Sequence, residues 1–141
     1  MIRRTDTLLL VEDSPDDYEA VARTLKKLNF GGTLEWVEGG EQALEFIDRA
    51  LANDLPPVLV LLDLNMPGMD GRAVLRELKS NDRSRAVPVV IYTTSNNPAD
   101  VAYCYQHFAN SYHVKPLGSD ALRSSLETVL AYWFELVVRA S

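Results

Sequence analysis

An open α/β fold is expected for this chain: one doubly wound sheet of five parallel strands, helices on both faces, and a single domain over 1–141. Three observations lead there. Short apolar runs alternate with helix-period stretches five times along the chain. Three of those runs are nearly continuous aliphatic, as strands covered on both faces must be. The connections between them are short, which calls for right-handed crossovers and a parallel sheet.

The first strand spans about 7–12, Thr7-Leu8-Leu9-Leu10-Val11-Glu12, and Asp13 follows it. Ser14 is the expected cap of the first helix, because its hydroxyl can accept a free backbone N–H, and Pro15 sits where proline is tolerated. That helix carries Tyr18, Val21, Leu25 and Leu28 on one stripe and ends at Gly31-Gly32. The second strand, 33–37, is mixed rather than aliphatic, and the second helix, 40–52, turns Leu44, Ile47 and Leu51 inward. The third strand, 58–63, ends in Asp63 and runs into Met66-Pro67-Gly68-Met69-Asp70-Gly71. Asp70 is the expected cap of a third helix over 71–80, with Val74, Leu75 and Leu78 inward. The fourth strand is 88–93. Asn97-Pro98 opens the fourth helix, whose stripe reads Val101, Tyr105, Phe108. The fifth strand is 111–114, and Ser119 is the expected cap of an extended fifth helix reaching nearly to the C-terminus.

Composition narrows the function. The chain is 47% hydrophobic and 24% charged, ordinary for a globular protein, and its net charge of −6 argues against nucleic acid as a direct partner. One cysteine, Cys104, permits no internal disulfide and points to the cytoplasm. Neither a leader segment nor an apolar run of membrane-spanning length is read in it.

Glu12, Asp13, Asp63, Thr93 and Lys115 all fall at strand carboxyl ends, where open α/β sheets gather their chemistry. Acids crowded there need a counter-ion, and an all-oxygen set of this charge suits Mg²⁺ or Mn²⁺. Asp13 and Asp63 are the expected direct ligands, Glu12 a direct or water-mediated one, and the Asn65 backbone carbonyl completes the protein share. A carboxylate beside such a metal can attack phosphorus, with Lys115 and the Thr93 hydroxyl on the transferring group.

Glu12-Asp13, Asp63 through Gly71, Thr93-Thr94-Ser95 and Lys115-Pro116, in that order, resemble the receiver domain of two-component response regulators. The resemblance spans essentially the whole chain and implies a flavodoxin-like (βα)5 fold. It implies further that Asp63 is the phosphoacceptor, that a histidine kinase is the donor, and that the chain is a signalling protein rather than an enzyme. Glu12 and Asp13 then hold Mg²⁺, Tyr112 is an aromatic switch that turns inward on phosphorylation, and the Lys115–Pro116 bond is cis.

The C-terminal helix carries Leu122, Leu126, Val129, Leu130, Trp133, Leu136 and Val137 on its sheet-facing stripe. Tyr132, Phe134 and Val138 fall outside it. A terminal helix apolar all round, on a chain read as a stand-alone receiver, predicts a homodimer through the last strand and helix, with the dimerising end inside 119–141. The aromatic-rich end and Thr93-Thr94-Ser95 are similar to receivers associated with phytochromes, implying a photoreceptor kinase. Two other readings remain at this point: a metal-dependent phosphohydrolase with an aspartyl nucleophile, and a receiver-like binding module that is not phosphorylated.

Overall fold

Aliphatic side chains on both faces of β1 (Thr7–Val11), β3 (Leu59–Leu62) and β4 (Val89–Thr93) force these strands into the middle of the sheet. β2 (Thr33–Val37) and β5 (Ser111–Val114), more polar, take the edges. The strand order is β2-β1-β3-β4-β5, all parallel. The computed structural model describes residues 1–140. Five α-helices connect and follow the strands: α1 (Pro15–Lys27), α2 (Gly40–Ala52), α3 (Gly71–Ser80), α4 (Pro98–Gln106) and α5 (Ser119–Leu130).

The pleat divides the core in two. Leu9, Val11, Val60, Leu62, Val89 and Ile91 point to the face covered by α2, α3 and α4, while Leu8, Leu10, Leu59, Leu61, Val90 and Tyr92 point to α1 and α5. Leu8, Leu9, Leu59, Leu61 and Leu62 are each fully buried, and burial of such a side chain is worth about 1.5–3 kcal/mol. Three of the four expected caps are present: Ser14 Oγ accepts from Asp17 N–H at 3.2 Å, Asp70 Oδ1 from Arg72 N–H at 3.0 Å, and Asn97 Oδ1 from Ala99 N–H at 2.9 Å. Ser119 is not a cap: it is the first residue of α5, and the cap position falls to Gly118, which has no side chain to accept a bond.

Three further expectations need correction. On α4 the residue turned to the sheet is Cys104, fully buried, whereas Tyr105 is half exposed and Phe108 is 72% exposed. The helix stops at Gln106, and Phe108 takes the left-handed position of its C-terminal turn with φ 68°, while the Ala109 N–H returns to the Cys104 carbonyl. The stripe therefore ends before reaching Phe108.

The C-terminal segment is not one continuous α-helix. After Leu130 it becomes a π-helix, Ala131–Leu136, closed by a bond from the Val137 N–H to the Tyr132 carbonyl at 3.0 Å. A π turn rotates less per residue than an α turn, so the stripe drifts in phase. Phe134, expected outward, is 3% exposed and meets Phe30 edge-on at 5.2 Å; Leu136, expected inward, is 71% exposed. Ser141, the last residue of the expected dimerising end, lies outside the described residues.

Finally, no peptide bond among the described residues is cis, so Lys115–Pro116 is trans. Trans is the lower-energy form even before proline, by about 0.5–1 kcal/mol.

Candidate functional site

The sheet order reverses direction between β1 and β3, so the loops leaving these two strands diverge and open a crevice at their carboxyl ends. Glu12 and Asp63 stand on its two sides. Each is pinned by its backbone: Glu12 N–H donates to the Val37 carbonyl at 3.0 Å and Asp63 N–H to the Val11 carbonyl at 3.1 Å. The Trp36 indole N–H donates to the Glu12 carbonyl at 2.7 Å, and the Trp36 ring stacks on Tyr18 of α1 with centroids 4.1 Å apart. The edge strand and the first helix therefore both brace the Glu12 backbone.

Glu12 is 2% exposed and Asp63 7%. Oxygens of Glu12, Asp13 and Asp63 lie within 4.8 Å of one another, close enough to share one ion. Lys115 comes from just past β5, its N–H donating to the Thr93 carbonyl at 2.7 Å. Its ammonium donates to Glu12 Oε1, to Asp17 Oδ2 at 2.8 Å and to Asp63 Oδ2 at 3.3 Å. Thr93 is fully buried, and its hydroxyl oxygen accepts from the Ser95 N–H at 3.5 Å. The Asn65 N–H reaches Asp63 Oδ1 at 3.4 Å, and its side chain is exposed. The Tyr112 hydroxyl donates to the Ser95 carbonyl at 2.8 Å, with its ring against the core under α4. So Glu12, Asp13, Asp63 and Lys115 converge at one place, with Asn65 beside Asp63 and the Thr93 backbone bonded to that of Lys115. Tyr112 connects to the same end of the sheet through Ser95.

Asp17 was not anticipated. Ser14 caps α1 so that its first turn hangs over the strand ends, which brings Asp17 onto Lys115. The signal was Ser14-Pro15-Asp16-Asp17: a capped first turn following a strand that ends in acids. A cavity of about 500 Å³ opens beside this pair between α1 and α5.

Electrostatics follow from burial. Withdrawal from water, then the neighbouring Asp63, pushes the Glu12 carboxyl up to about 8, although Lys115 pulls the other way. Burial alone would lower the Lys115 ammonium, but its bonds to Asp17 and Glu12 outweigh that and raise it. Burial would raise the Asp17 carboxyl, yet Lys115 holds it below the usual carboxylate range. Lys115 thus serves as the internal cation of an acid cluster. Hard oxygen donors in this number fit Mg²⁺ or Mn²⁺, with Glu12, Asp13 and Asp63 as the side chains able to hold it.

A pH dependence follows. The folded chain keeps a proton on Glu12 that the unfolded chain has released above its ordinary 4.5, so metal-free stability falls as pH rises from about 4.5 to about 8. Glu12 would have to give up that proton to hold a divalent ion, so the stabilisation such an ion supplies would grow over the same window. Scanning calorimetry should show a larger Mg²⁺-induced rise in Tm at pH 8.5 than at pH 6; equal rises would remove Glu12 from the metal's surroundings.

A family model, the response regulator receiver domain, matches residues 8–127. The probable methanogenesis regulatory protein FilR2 of Methanothrix harundinacea is 37% identical over 132 residues, covering 89% of this chain and 82% of that one. The response regulator Rcp1 of a Synechocystis species is 36% identical over 132 residues, covering 92% and 90%. The crystal structure of its Mn²⁺-bound form superposes with a TM-score of 0.86 over 96% of this chain and 99% of that one, at 35% identity. The phosphorylated cyanobacterial phytochrome response regulator RcpA superposes with a TM-score of 0.88 at 30% identity, over 96% and 99%.

Proposed function

The chain belongs to the response regulator receiver family, and from that premise we propose that Asp63 is the residue that takes the phosphoryl group. The protein is a response regulator of two-component signalling, a phosphoacceptor rather than an enzyme, served by a histidine kinase and a divalent metal. Neither the phosphohydrolase nor the unphosphorylated binding module is favoured.

The observation that carries the assignment is the position of Asp63, 7% exposed, with Lys115 at 3.3 Å and with Glu12 and Asp13 in reach of the same ion. The Asp63 carboxylate attacks phosphorus, the bond from phosphorus to the kinase histidine nitrogen breaks, and an acyl phosphate forms on Asp63. The divalent ion, when bound, supplies positive charge for the oxygens of the transferring group. Glu12, Asp13, Asp63 and the Asn65 backbone carbonyl are its proposed holders. In this reading Lys115 leaves Glu12 for a phosphoryl oxygen, and the Thr93 hydroxyl donates to another. Tyr112 is the proposed switch residue, reporting through the Ser95 carbonyl.

With Mg²⁺ and a phosphorylated kinase or acetyl phosphate, intact mass spectrometry should show one added phosphoryl group, absent in Asp63→Asn. No addition with an active donor, or full addition in the variant, would overturn the assignment.

The likeness to Rcp1 and RcpA supports a phytochrome-type photoreceptor kinase as donor. Self-association is proposed through the outer edge of β5, where the Tyr105 hydroxyl accepts the Tyr112 N–H at 3.1 Å, and the exposed Tyr132, Leu136 and Val138. Phe134 belongs to the chain's own core, so a truncation before it would unfold the protein. Tyr132→Ser with Leu136→Ser is the better probe: light scattering should show a monomer, and an unchanged dimer would discard this surface. The proposed unit is one receiver domain over 1–141 with its dimerising end inside 119–141. A cytoplasmic location suits its one cysteine, buried and unpaired. Among the described residues no helix is long and apolar enough to cross a membrane.

A further inference from the structure

Arg72 opens α3 one residue after Gly71, whose backbone lies against the Asp63 carbonyl. Its guanidinium crosses to α4, where Nε and Nη2 both donate to Asp100 Oδ1, at 3.1 and 2.6 Å. The other oxygen of that carboxylate, Oδ2, accepts from the Ser95 hydroxyl at 2.6 Å. The Ser95 carbonyl in turn accepts from the Tyr112 hydroxyl at 2.8 Å. At its origin the strap is held by Asp70, whose Oδ1 accepts from the Arg72 N–H at 3.0 Å and whose Oδ2 lies 3.6 Å from Nη1.

These bonds form one unbroken line from the first turn of α3, over α4, to the edge strand. The side chains of Arg72 and Asp100 are only 27% and 17% exposed, so solvent does little to loosen the pair. The Ser95 hydroxyl and then Arg72 hold the Asp100 carboxyl below the usual range, which keeps it ionised and both its oxygens engaged. The loop between β4 and α4 is therefore fixed at Ser95 from the α3 side, by contacts that do not pass through Thr93.

The geometry points to Arg72 and Asp100 as positioning residues that hold the Tyr112 ring in its inward place by clamping the Ser95 carbonyl. This rests on the reading of Asp63 as phosphoacceptor for its functional meaning, though not for the clamp itself. Whatever favours the inward ring also favours the state that a phosphoryl group stabilises. By linkage, a strap variant that depopulates the inward ring weakens binding at Asp63 in proportion to the inward fraction lost, up to the full coupling between the two sites. Arginine rather than lysine suits the task, because one planar head makes both bonds to Oδ1 at a fixed angle.

The test uses the intact chain labelled with 3-fluorotyrosine, the Tyr112 signal being assigned with Tyr112→Phe. In the metal-free protein, Arg72→Gln and Asp100→Asn should each move that ¹⁹F signal toward the solvent-exposed value, with Arg72→Lys between them and wild type. With Mg²⁺ present, beryllofluoride, a phosphoryl mimic, should bind the first two variants about 5- to 10-fold more weakly, read from Trp36 emission beside Glu12. Ser95→Ala deletes a single hydroxyl and should give the same shift should the charge variants fold poorly. Variants that lower Tm yet leave the ¹⁹F signal and beryllofluoride affinity at wild-type values would overturn the proposal and make the strap a packing contact. If wild type itself fails to bind beryllofluoride, the reading of Asp63 falls, and the metal-free ¹⁹F shift still decides the clamp.

Discussion

Lys115→Met should strengthen Mg²⁺ binding while it abolishes useful phosphoryl uptake. The Lys115 ammonium bonds Glu12, Asp17 and Asp63, so an incoming cation must compete with it. Two unit charges 4 Å apart interact by about 4 kcal/mol at the effective dielectric of a protein surface. Removal of the lysine leaves the acids without that charge, and a gain in metal affinity of about tenfold is a conservative expectation once solvent and protonation of Glu12 share the relief. The transferring group, however, loses a cation that acts on its developing charge. Loss of one such contact typically costs about 10²- to 10³-fold in rate. Methionine keeps the apolar stem, so packing is little changed. Isothermal titration and the rate of mass gain with acetyl phosphate measure the two effects separately. A variant that binds Mg²⁺ more weakly than wild type would show that Lys115 organises the acids rather than competing for them.

Gly71→Ala should cost at least about 2 kcal/mol and disorganise the pocket, although alanine is by itself the better helix residue by about 1 kcal/mol. A Cβ at Gly71 would lie 2.1 Å from the Asp63 carbonyl oxygen and 2.8 Å from Leu64 Cα. Neither neighbour is a flexible side-chain end. Both belong to the strand end that carries Asp63, so relief requires moving α3 away from it. The Gly71 N–H bond to the Leu64 carbonyl, 3.0 Å long, would stretch with it. Gly39→Ala is the control, since a Cβ there meets only the Gln42 side chain at 3.8 Å. Urea unfolding should separate the two variants, and Mg²⁺ affinity should fall only in the first. A Gly71→Ala protein of wild-type stability and affinity would mean that the crossing of α3 over Asp63 is looser than drawn.

Much of this site was legible in the residues. Asp63 follows Val58 through Leu62, a run that can only be a buried strand, so its position at a strand end followed from hydrophobicity alone. The same holds for Glu12 after Thr7 through Val11, whereas Lys115 follows a more polar strand and was placed by the alternation of strands and helices. Asp17 was not legible, because an acid in a first helical turn is ordinary until the cap at Ser14 is seen to hang that turn over Lys115. Nor was the Arg72–Asp100 pair, whose members stand 28 residues apart and meet only because α3 and α4 lie side by side on one face. The phase of the last helix was misread at Phe134 and Leu136 because an apolar stretch fits either an α or a π turn.

What the sequence by itself determined is the set of strands, their burial and the acids and lysine at their ends, since these depend on the local order of apolar and polar residues. Only the tertiary structure decided which cation the acids hold, which loop Tyr112 grips and which face of the terminal turn is covered. Those outcomes depend on distances between elements remote in the chain, and no local pattern of residues encodes a distance across the sheet.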